Sequence, residues 1–239
     1  VTWMDVRVGD YVVTPRHGKP VEINALWYNA LKIMARLAEK YENKQLCRKY
    51  LEMAEKTKKS FDEKFYNAGK HCLYDVLGDS KVRPNQLFAL SLSHPIVDNA
   101  KIAEQVLNTV ENKLLNRYGL QTLSSDEEGY VDVYEGSAYN RDSSYHQGIT
   151  WPWLLGLYYD ALKNTMIIEK NRTKRQELEE KITNLVDTTK ETFKAEMFER
   201  SSIGTISEIY DSTEPYEERG AFAQAWSVAE IFRIVLNKR

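Results

Sequence analysis

Two carboxyl side chains in this sequence stand among apolar neighbours: Asp5 directly follows Trp3 and Met4, and Glu208 directly precedes Ile209. An apolar surrounding raises the pKa of a carboxyl group, which lets it donate a proton near neutral pH. Two carboxyl groups, one acting as acid and the other as base or nucleophile, form the machinery of glycoside hydrolysis. Solvated surface charges are the plain alternative, because the chain offers 35 Asp and Glu to choose from.

Aromatic side chains suggest a sugar as the ligand of such a pair, since the chain has 15 Tyr and 5 Trp. Tyr and Trp combine a flat apolar area with a polar group, which matches the C–H faces and hydroxyl rim of a sugar. Tyr145, His146, Trp151 and Trp153 could line the site of a terminal sugar. Two alternatives stay open, a structural histidine bonded to backbone for His146 and a helix-core position for the two tryptophans.

Charged side chains near Asp5 have two interpretations as well. Arg7 and Glu22 could hold sugar hydroxyls or orient Asp5, or they could form a salt bridge with each other. Arg83, and Arg141 with its neighbour Asp142, could equally brace loops. The histidines show no metal-ligand spacing, and a two-carboxylate mechanism needs no metal or other cofactor.

Helices must position these residues, because apolar side chains recur at a spacing of 3.6 along most of the chain. Three segments carry one apolar stripe opposite a charged face and predict surface helices: 44–66, 98–117 and 172–198. Three others are apolar nearly all round and predict buried helices: 85–93, 149–161 and 221–236. A helix over 22–41 leads the series and is intermediate. Strand signals are few, and 72–77 is the best candidate for a short hairpin arm.

Buried and surface helices alternate, which predicts an all-α, α/α barrel with inner and outer helices. About seven helices are too few to close a ring of twelve, so we expect an incomplete barrel. The connections that enter the inner helices would share one end of it and bring their polar and aromatic residues together. These residues are Asp5, Arg7, Asp10, Glu22, Arg83, Arg141, Asp142, His146, Trp151, Trp153, Glu208 and Asp211.

The overall composition excludes several classes of protein. The 239 residues carry a net charge of −2, which argues against a nucleic-acid surface or a polybasic membrane surface. No apolar run approaches the ~20 residues of a membrane-spanning helix. Two cysteines and no export signal at the first residue indicate a protein of the reducing cytoplasm.

Six stretches of the sequence together resemble one family. The stretch TWMDVRVGDYVVTPRHGKPVEINALWYNAL (2–31) resembles the signature of the amylo-α-1,6-glucosidase domain, the C-terminal domain of glycogen debranching enzymes. The others follow in the family's order and cover most of the chain: RPNQLFALSL (83–92), RYGLQTLS (117–124), RDSSYHQGITWPWLLG (141–156), TISEIYD (205–211) and RGAFAQAWSVAEIFR (219–233).

The resemblance implies a fold and an activity. The family fold is an (α/α)6 barrel, and the chain would be the C-terminal portion of one glucosidase domain over 1–239, with an N-terminal part of the same polypeptide missing. Asp5 would be the general acid and Glu208 the general base of an inverting reaction. The substrate would be a glucose α-1,6-linked to glycogen or another α-glucan.

The sequence departs from the family pattern at two places, and other functions stay open. Tyr216 stands where the family often has His, and Ala221 where it often has Cys, which leaves loop detail in doubt. One alternative is a related barrel hydrolase acting on another α-glucoside. The other is a glucan-binding fragment without activity of its own, because missing helices would remove part of the pocket wall and expose an apolar patch.

Overall fold

The computed structural model describes residues 2–200 and 203–236. Within these residues eight α-helices dominate: α1 (Val21–Lys40), α2 (Lys44–Lys64), α3 (Phe88–Ser91), α4 (Ala100–Lys113), α5 (Ala138–Ser144), α6 (Leu154–Ile168), α7 (Arg172–Glu199) and α8 (Ala225–Leu236). A 3-10 turn, Pro84–Leu87, leads into α3. None of these helices combines the length and the apolar character that a membrane crossing requires.

The helices form two layers. The inner layer is the row α1, α3, α6 and α8, in which each helix contacts the next. The outer helices are α2 against α1, α4 against α6, and α7 against α6 and α8. Each outer helix begins at an asparagine whose side chain accepts from backbone N–H groups of the first turn, namely Asn43, Asn99 and Asn171. The mostly helical, two-layer architecture therefore agrees with the prediction, and the observed row is an open one rather than a complete barrel.

Nine short strands accompany the helices in the described residues, so the prediction of an all-α fold with few strands was wrong in this respect. Two hairpins pair β1 (Arg7–Val8) with β2 (Tyr11–Val12) and β3 (Tyr66–Asn67) with β4 (Cys72–Leu73). An antiparallel sheet has the order β5 (Leu115–Asn116), β6 (Gly119–Gln121), β7 (Thr150–Trp151), β8 (Ile209–Tyr210) and β9 (Glu218–Arg219). The hairpin arm predicted over 72–77 corresponds to β4, which is shorter than predicted. The other strands were not predicted, because two or three residues are too few to show an alternating pattern.

The inner helices differ from their predicted bounds at their N-terminal ends. The segment predicted as a helix from 149 opens as strand β7, and helix α6 starts only at Leu154. The segment predicted over 85–93 is the 3-10 turn followed by the single turn of α3. Helix α5 was not predicted at all, because its polar sequence AYNRDSS carries no apolar stripe.

The two end helices of the inner row expose apolar side chains. On α1, Ile23 and Trp27 are 44% and 49% exposed, and on α8, Phe232 and Leu236 are 43% and 66% exposed. The prediction that α8 is buried on most of its surface was therefore wrong for this chain. By contrast, α6 lies in the middle of the row with helices on several sides, and most of its residues are buried.

Candidate active site

Glu208 lies directly before β8 and is held by three hydrogen-bond donors. The backbone N–H of Ala221 donates to its Oε2 at 2.9 Å, and the Gln224 side-chain amide donates to Oε1 at 3.2 Å. The phenol of Tyr145 donates to the same Oε1. A carboxylate is an acceptor only, and three donors on its two oxygens fix its orientation.

Next to the two residue pairs of β8 and β9, Glu208 is bonded to Ala221. The N–H of Glu208 donates to the carbonyl of Ala221 at 2.9 Å, so two hydrogen bonds join these residues. Gly220, between β9 and Ala221, has a φ of +68°. A Cβ at Gly220 would overlap Glu208 Oε2, so a larger residue would displace the carboxylate.

Tyr145 donates its phenol proton to Glu208 and lies in the electrostatic field of both candidate carboxylates. Burial raises the pKa of its phenol, and the hydrogen bond to Glu208 and the Glu208 charge raise it further. The charge of Asp5 is a smaller contribution in the same direction. The rings of Trp3 and Tyr145 both contact His146, so Asp5, two residues after Trp3, lies at the same end of the molecule as Glu208.

Asp5 itself is exposed, and its carboxylate makes no hydrogen bond or ion pair with residues 2–200 or 203–236. Its neighbours lie on the inner side: Met4 is buried, and the Trp3 indole donates to Asn85 Oδ1 at 2.6 Å. The apolar surrounding expected for Asp5 is thus not formed by the described residues.

An aromatic cluster lies beside the two carboxylates, and we call Trp3, Tyr145, His146, Trp151, Trp153 and Trp226 the aromatic floor. Trp3 is packed edge-on against Trp151 and Trp153, at 5.5 and 5.1 Å between ring centroids. Trp153 stacks on Trp226 at 5.1 Å. Trp151 is only 1% exposed and donates from Nε1 to the Tyr145 carbonyl at 3.2 Å, so it occupies a core position under the site.

His146 is buried within this floor and neutral. Its ring stacks on Trp151 at 5.3 Å, and Nδ1 has no hydrogen-bond partner in the part of the chain that the structure describes. Burial lowers the pKa of His146 to about 3, with smaller effects from the positive charges of Arg83 and Arg16. A neutral imidazole at this place carries no charge to offer a ligand.

A buried ionic network supports the segment that carries Asp5. Asp75 accepts from Arg16 Nε at 2.7 Å and from Asn85 Nδ2 at 2.8 Å. Arg16 also binds Glu22 with two N–H groups, one of them at 2.6 Å from Oε2. Asn85 in turn accepts from Trp3, two residues before Asp5, so the network reaches the candidate acid through one indole.

Arg83 connects this network to the aromatic floor. Its guanidinium donates to the carbonyl of His146 at 2.6 Å and to Gln147 Oε1 at 2.6 Å, and it lies 3.9 Å from Asp75. Burial lowers the pKa of Arg83, and the Asp75 charge opposes that effect. The donors of Arg83 therefore brace the loop that carries Tyr145 and His146.

The predicted site residues thus fall into three groups. Glu208, Tyr145, His146, Trp151 and Trp153 come together with Asp5 at one end. Glu22 lies beneath them in the ionic network. Arg7 lies on the exposed β1–β2 hairpin and pairs with Asp10 at 3.7 Å, while Glu22 pairs with Arg16, so the two do not form the salt bridge weighed as an alternative.

Several members of the site did not emerge from the sequence, namely Arg16, Asp75, Asn85, Trp226, Gly220 and Gln224. Asp75 lies in a predicted hairpin arm and Asn85 in a predicted buried helix, where a polar residue in an apolar segment was the only available signal. No group of three or more His, Cys, Asp or Glu side chains that could hold a metal ion occurs among residues 2–200 and 203–236.

Comparison with known proteins identifies relatives of this architecture. Residues 1–233 match the family described as amylo-alpha-1,6-glucosidase. A sialidase is similar in fold, with a TM-score of 0.67 at 13% identity over 96% of this chain and 20% of that chain. A GH63 mannosylglycerate hydrolase from Thermus thermophilus, solved in complex with Tris, gives a TM-score of 0.58 at 11% identity over 92% of this chain.

The same hydrolase with Tris and D-glycerate gives a TM-score of 0.57 at 12% identity. At such identities these structures show a shared fold. This chain covers 45% and 46% of the two hydrolase chains, so it spans less than half their length.

Proposed function

The chain belongs to the amylo-alpha-1,6-glucosidase family, a family of glycoside hydrolases, and from that premise we propose that it removes single glucose residues α-1,6-linked to glycogen or a related α-glucan. The observation that carries the proposal is that Tyr145 donates to Glu208 beside an aromatic floor whose Trp3 stands two residues before Asp5. The reaction needs no metal or other cofactor, and its place is the breakdown of α-glucan in the cytoplasm. The two free cysteines, Cys47 and Cys72, support a reducing compartment.

The two carboxyl groups have different tasks in the proposed reaction. Asp5, in its protonated form, gives its proton to the glycosidic oxygen as the bond from that oxygen to the anomeric carbon breaks. Glu208 takes a proton from the water that attacks the anomeric carbon from the opposite face. The products are β-glucose and the shortened glucan, and the two carboxyl groups of an inverting enzyme stand ~6.5–9.5 Å apart to admit that water.

The surroundings of the two residues fit these tasks unequally. Three donors hold the Glu208 carboxylate in place, as a base requires. Asp5 has its backbone support but no enclosing wall among the described residues. We propose that a preceding part of the same polypeptide supplies this wall and also covers the exposed apolar faces of α1 and α8.

The assay that tests the function measures glucose release from a glucan with single α-1,6-glucosyl stubs. It compares this chain and an N-terminally extended version, each with Asp5→Asn and Glu208→Gln variants. We expect the extended protein to release glucose, first as the β anomer by proton NMR, and either substitution to lower kcat by about 10²–10⁴-fold. Release of α-glucose, or full activity in either variant, would refute the assignment.

A second candidate function has its own observation. Because Asp5 is exposed and α1 and α8 are partly uncovered, these 239 residues alone fit a glucan-binding unit without turnover. We expect the chain alone to release glucose very slowly or not at all. A normal turnover rate from the unextended chain would rule out this interpretation, whereas glucan binding without release by the extended protein would favour it over the hydrolase.

A further inference from the structure

Two buried carboxyl groups meet outside the candidate active site, Glu196 near the end of α7 and Glu218 on β9. Their side chains are 4% and 13% exposed. The guanidinium of Arg200 lies 3.0 Å from Glu218 Oε1 and 3.6 Å from Glu196 Oε2. The phenol of Tyr210, on β8, donates to Glu196 Oε1 at 3.0 Å. The glycoside chemistry proposed above uses none of these groups.

Among residues 2–200 and 203–236, the charged and titratable groups that face this pair come from several elements. Arg200 directly follows α7, β8 contributes Tyr210, and the turn between β5 and β6 contributes Tyr118. Arg200 donates to the Tyr118 hydroxyl at 2.8 Å, and Tyr118 stacks on Tyr210 at 4.6 Å. The carbonyl of Tyr216 accepts a further hydrogen bond from Arg200 at 3.4 Å.

In the described part of the chain this cluster holds two carboxyl groups and one guanidinium, so a proton on one carboxyl group balances the charges of these three side chains. Two carboxylates and one guanidinium would leave a net negative charge in a buried place, which is costly. Burial is the main cause that raises the pKa of Glu196 to about 7, and its hydrogen bond with Glu218 is the next. With a proton on Glu196, the pair becomes a hydrogen bond between α7 and β9.

The pair lies on the same short ladder as Glu208. Tyr210 and Glu218 are direct partners across β8 and β9, and the next pairing is Ile209 with Arg219. Beyond these pairs, the N–H of Glu208 donates to the Ala221 carbonyl, and the N–H of Ala221 donates to the Glu208 carboxylate. A movement of β9 away from α7 would therefore also displace the Ala221 N–H, which donates to the Glu208 carboxylate.

We propose that Glu196 and Glu218 form a proton-dependent clamp that ties the β8–β9 hairpin to α7 and thereby positions Glu208. Glu196 and Glu218 are positioning residues, since they act on Glu208 through Tyr210, β9 and Ala221. When Glu196 loses its proton, two carboxylates face one guanidinium and the hairpin loosens. The clamp rests on the proposed function only in its consequence for catalysis, because the loosening itself needs no substrate.

The direction of the pH effect follows from linkage. A carboxyl group whose pKa is raised on folding stabilises the fold below its unfolded pKa, and the contribution is lost as the pH rises through the folded value. For Glu196 the loss runs from its ordinary value of 4.5 to about 7. Glu196→Gln mimics the protonated acid, since its amide can donate to Glu218 and accept from Tyr210, so it should remove this pH dependence.

The test follows the Ala221 amide by hydrogen exchange in the 239-residue chain at a series of pH values from mildly acidic to mildly alkaline. We expect its protection factor, corrected for intrinsic exchange, to fall by about tenfold across that range in the wild type, and to stay constant in Glu196→Gln. The Ala103 amide in α4, bonded to the Asn99 carbonyl, is the internal reference. The matched control is Glu104→Gln, whose carboxylate makes a half-exposed ion pair with Lys174.

Constant protection of Ala221 in the wild type, or the same fall in Glu196→Gln, would overturn the clamp. If Glu196→Gln does not fold, carboxyl carbon NMR of the wild type decides instead: a glutamate that titrates near the raised pKa of Glu196, about 7, and disappears in Glu218→Gln supports the clamp, and its absence refutes it. In the glucan assay the clamp also predicts that Glu196→Gln extends activity to higher pH. If Ala221 responds and no protein releases glucose, the clamp stands and the proposed function fails.

Discussion

Glu208 and Asp5 occupy opposite kinds of surroundings at the same end of the molecule. Glu208 is enclosed by donors from Tyr145, Ala221 and Gln224 and stands on a strand ladder. Asp5 is exposed, although the segment before it rests on a buried ionic network. The described residues therefore enclose Glu208, the proposed base, whereas for Asp5, the proposed acid, they provide only the support of its backbone.

The largest expected effect concerns the support of Asp5. Arg16→Ala leaves Glu22 and Asp75 buried without their main cation, and we expect a loss of about 3–5 kcal/mol in the free energy of unfolding, measured with urea. Arg7→Ala is the matched control on the neighbouring hairpin, where the ion pair with Asp10 is exposed, and it should change stability by less than about 0.5 kcal/mol. Equal effects of the two substitutions would mean that the network does not support this end.

The second prediction concerns the enclosure of Glu208. Gly220→Ala puts a Cβ into the space of Glu208 Oε2, and we expect kcat in the glucan assay to fall by about 100-fold through misplacement of the base. Gly204→Ala is the control, because Gly204 has a φ of +81° but nothing within 4 Å of an added Cβ. It carries the same kind of backbone strain without the contact. A similar fall in both variants would assign the effect to strain instead of to the carboxylate.

The comparison also shows what could be inferred from the sequence. Asp5, Glu208, Tyr145, Trp151 and Trp153 were proposed because short motifs carry them, and the long helices were predicted because the apolar stripe repeats over several turns. The partners Asp75 and Asn85 could not be found in this way. They bond across 59 and 82 residues, Asp75 to Arg16 and Asn85 to Trp3, and no local pattern encodes such pairings.

The sheet was missed for a related reason. Its strands come from three separate parts of the chain, and the pairing of Thr150 with Tyr210 joins two of them. Local propensity is weak over two residues, and tertiary pairing decides the outcome. The clamp residues Glu196 and Glu218 were hidden for the same reason, because each looks like one more surface charge until the fold buries it.

A smaller effect on kcat is expected at the Tyr145 phenol, which donates to Glu208. Tyr145→Phe removes one of three donors from Glu208 and keeps the ring in the aromatic floor. A lost hydrogen bond to a charged group corresponds to about 1.5–3 kcal/mol, so we expect kcat to fall by about tenfold or more with KM little changed. Tyr139→Phe, on the same segment but 56% exposed, is the control. If Tyr145→Phe keeps full kcat, the phenol has no part in holding the base.

The smallest effect concerns His146, whose contribution to stability depends on pH with the opposite sign to that of Glu196. Burial lowers the pKa of His146 to about 3, so the folded protein binds fewer protons there than the unfolded chain. The stability that the neutral ring contributes is present above the unfolded pKa, about 6.5, and is lost as the pH falls towards the folded value.

Imidazole NMR signals, followed across the range where an ordinary histidine titrates, provide the measurement. We expect the His146 ring to keep one chemical shift over that range, with the other histidines as references. A ring that titrates at the ordinary value would mean that water reaches the aromatic floor, and the site around Glu208 would then be as open as the surroundings of Asp5.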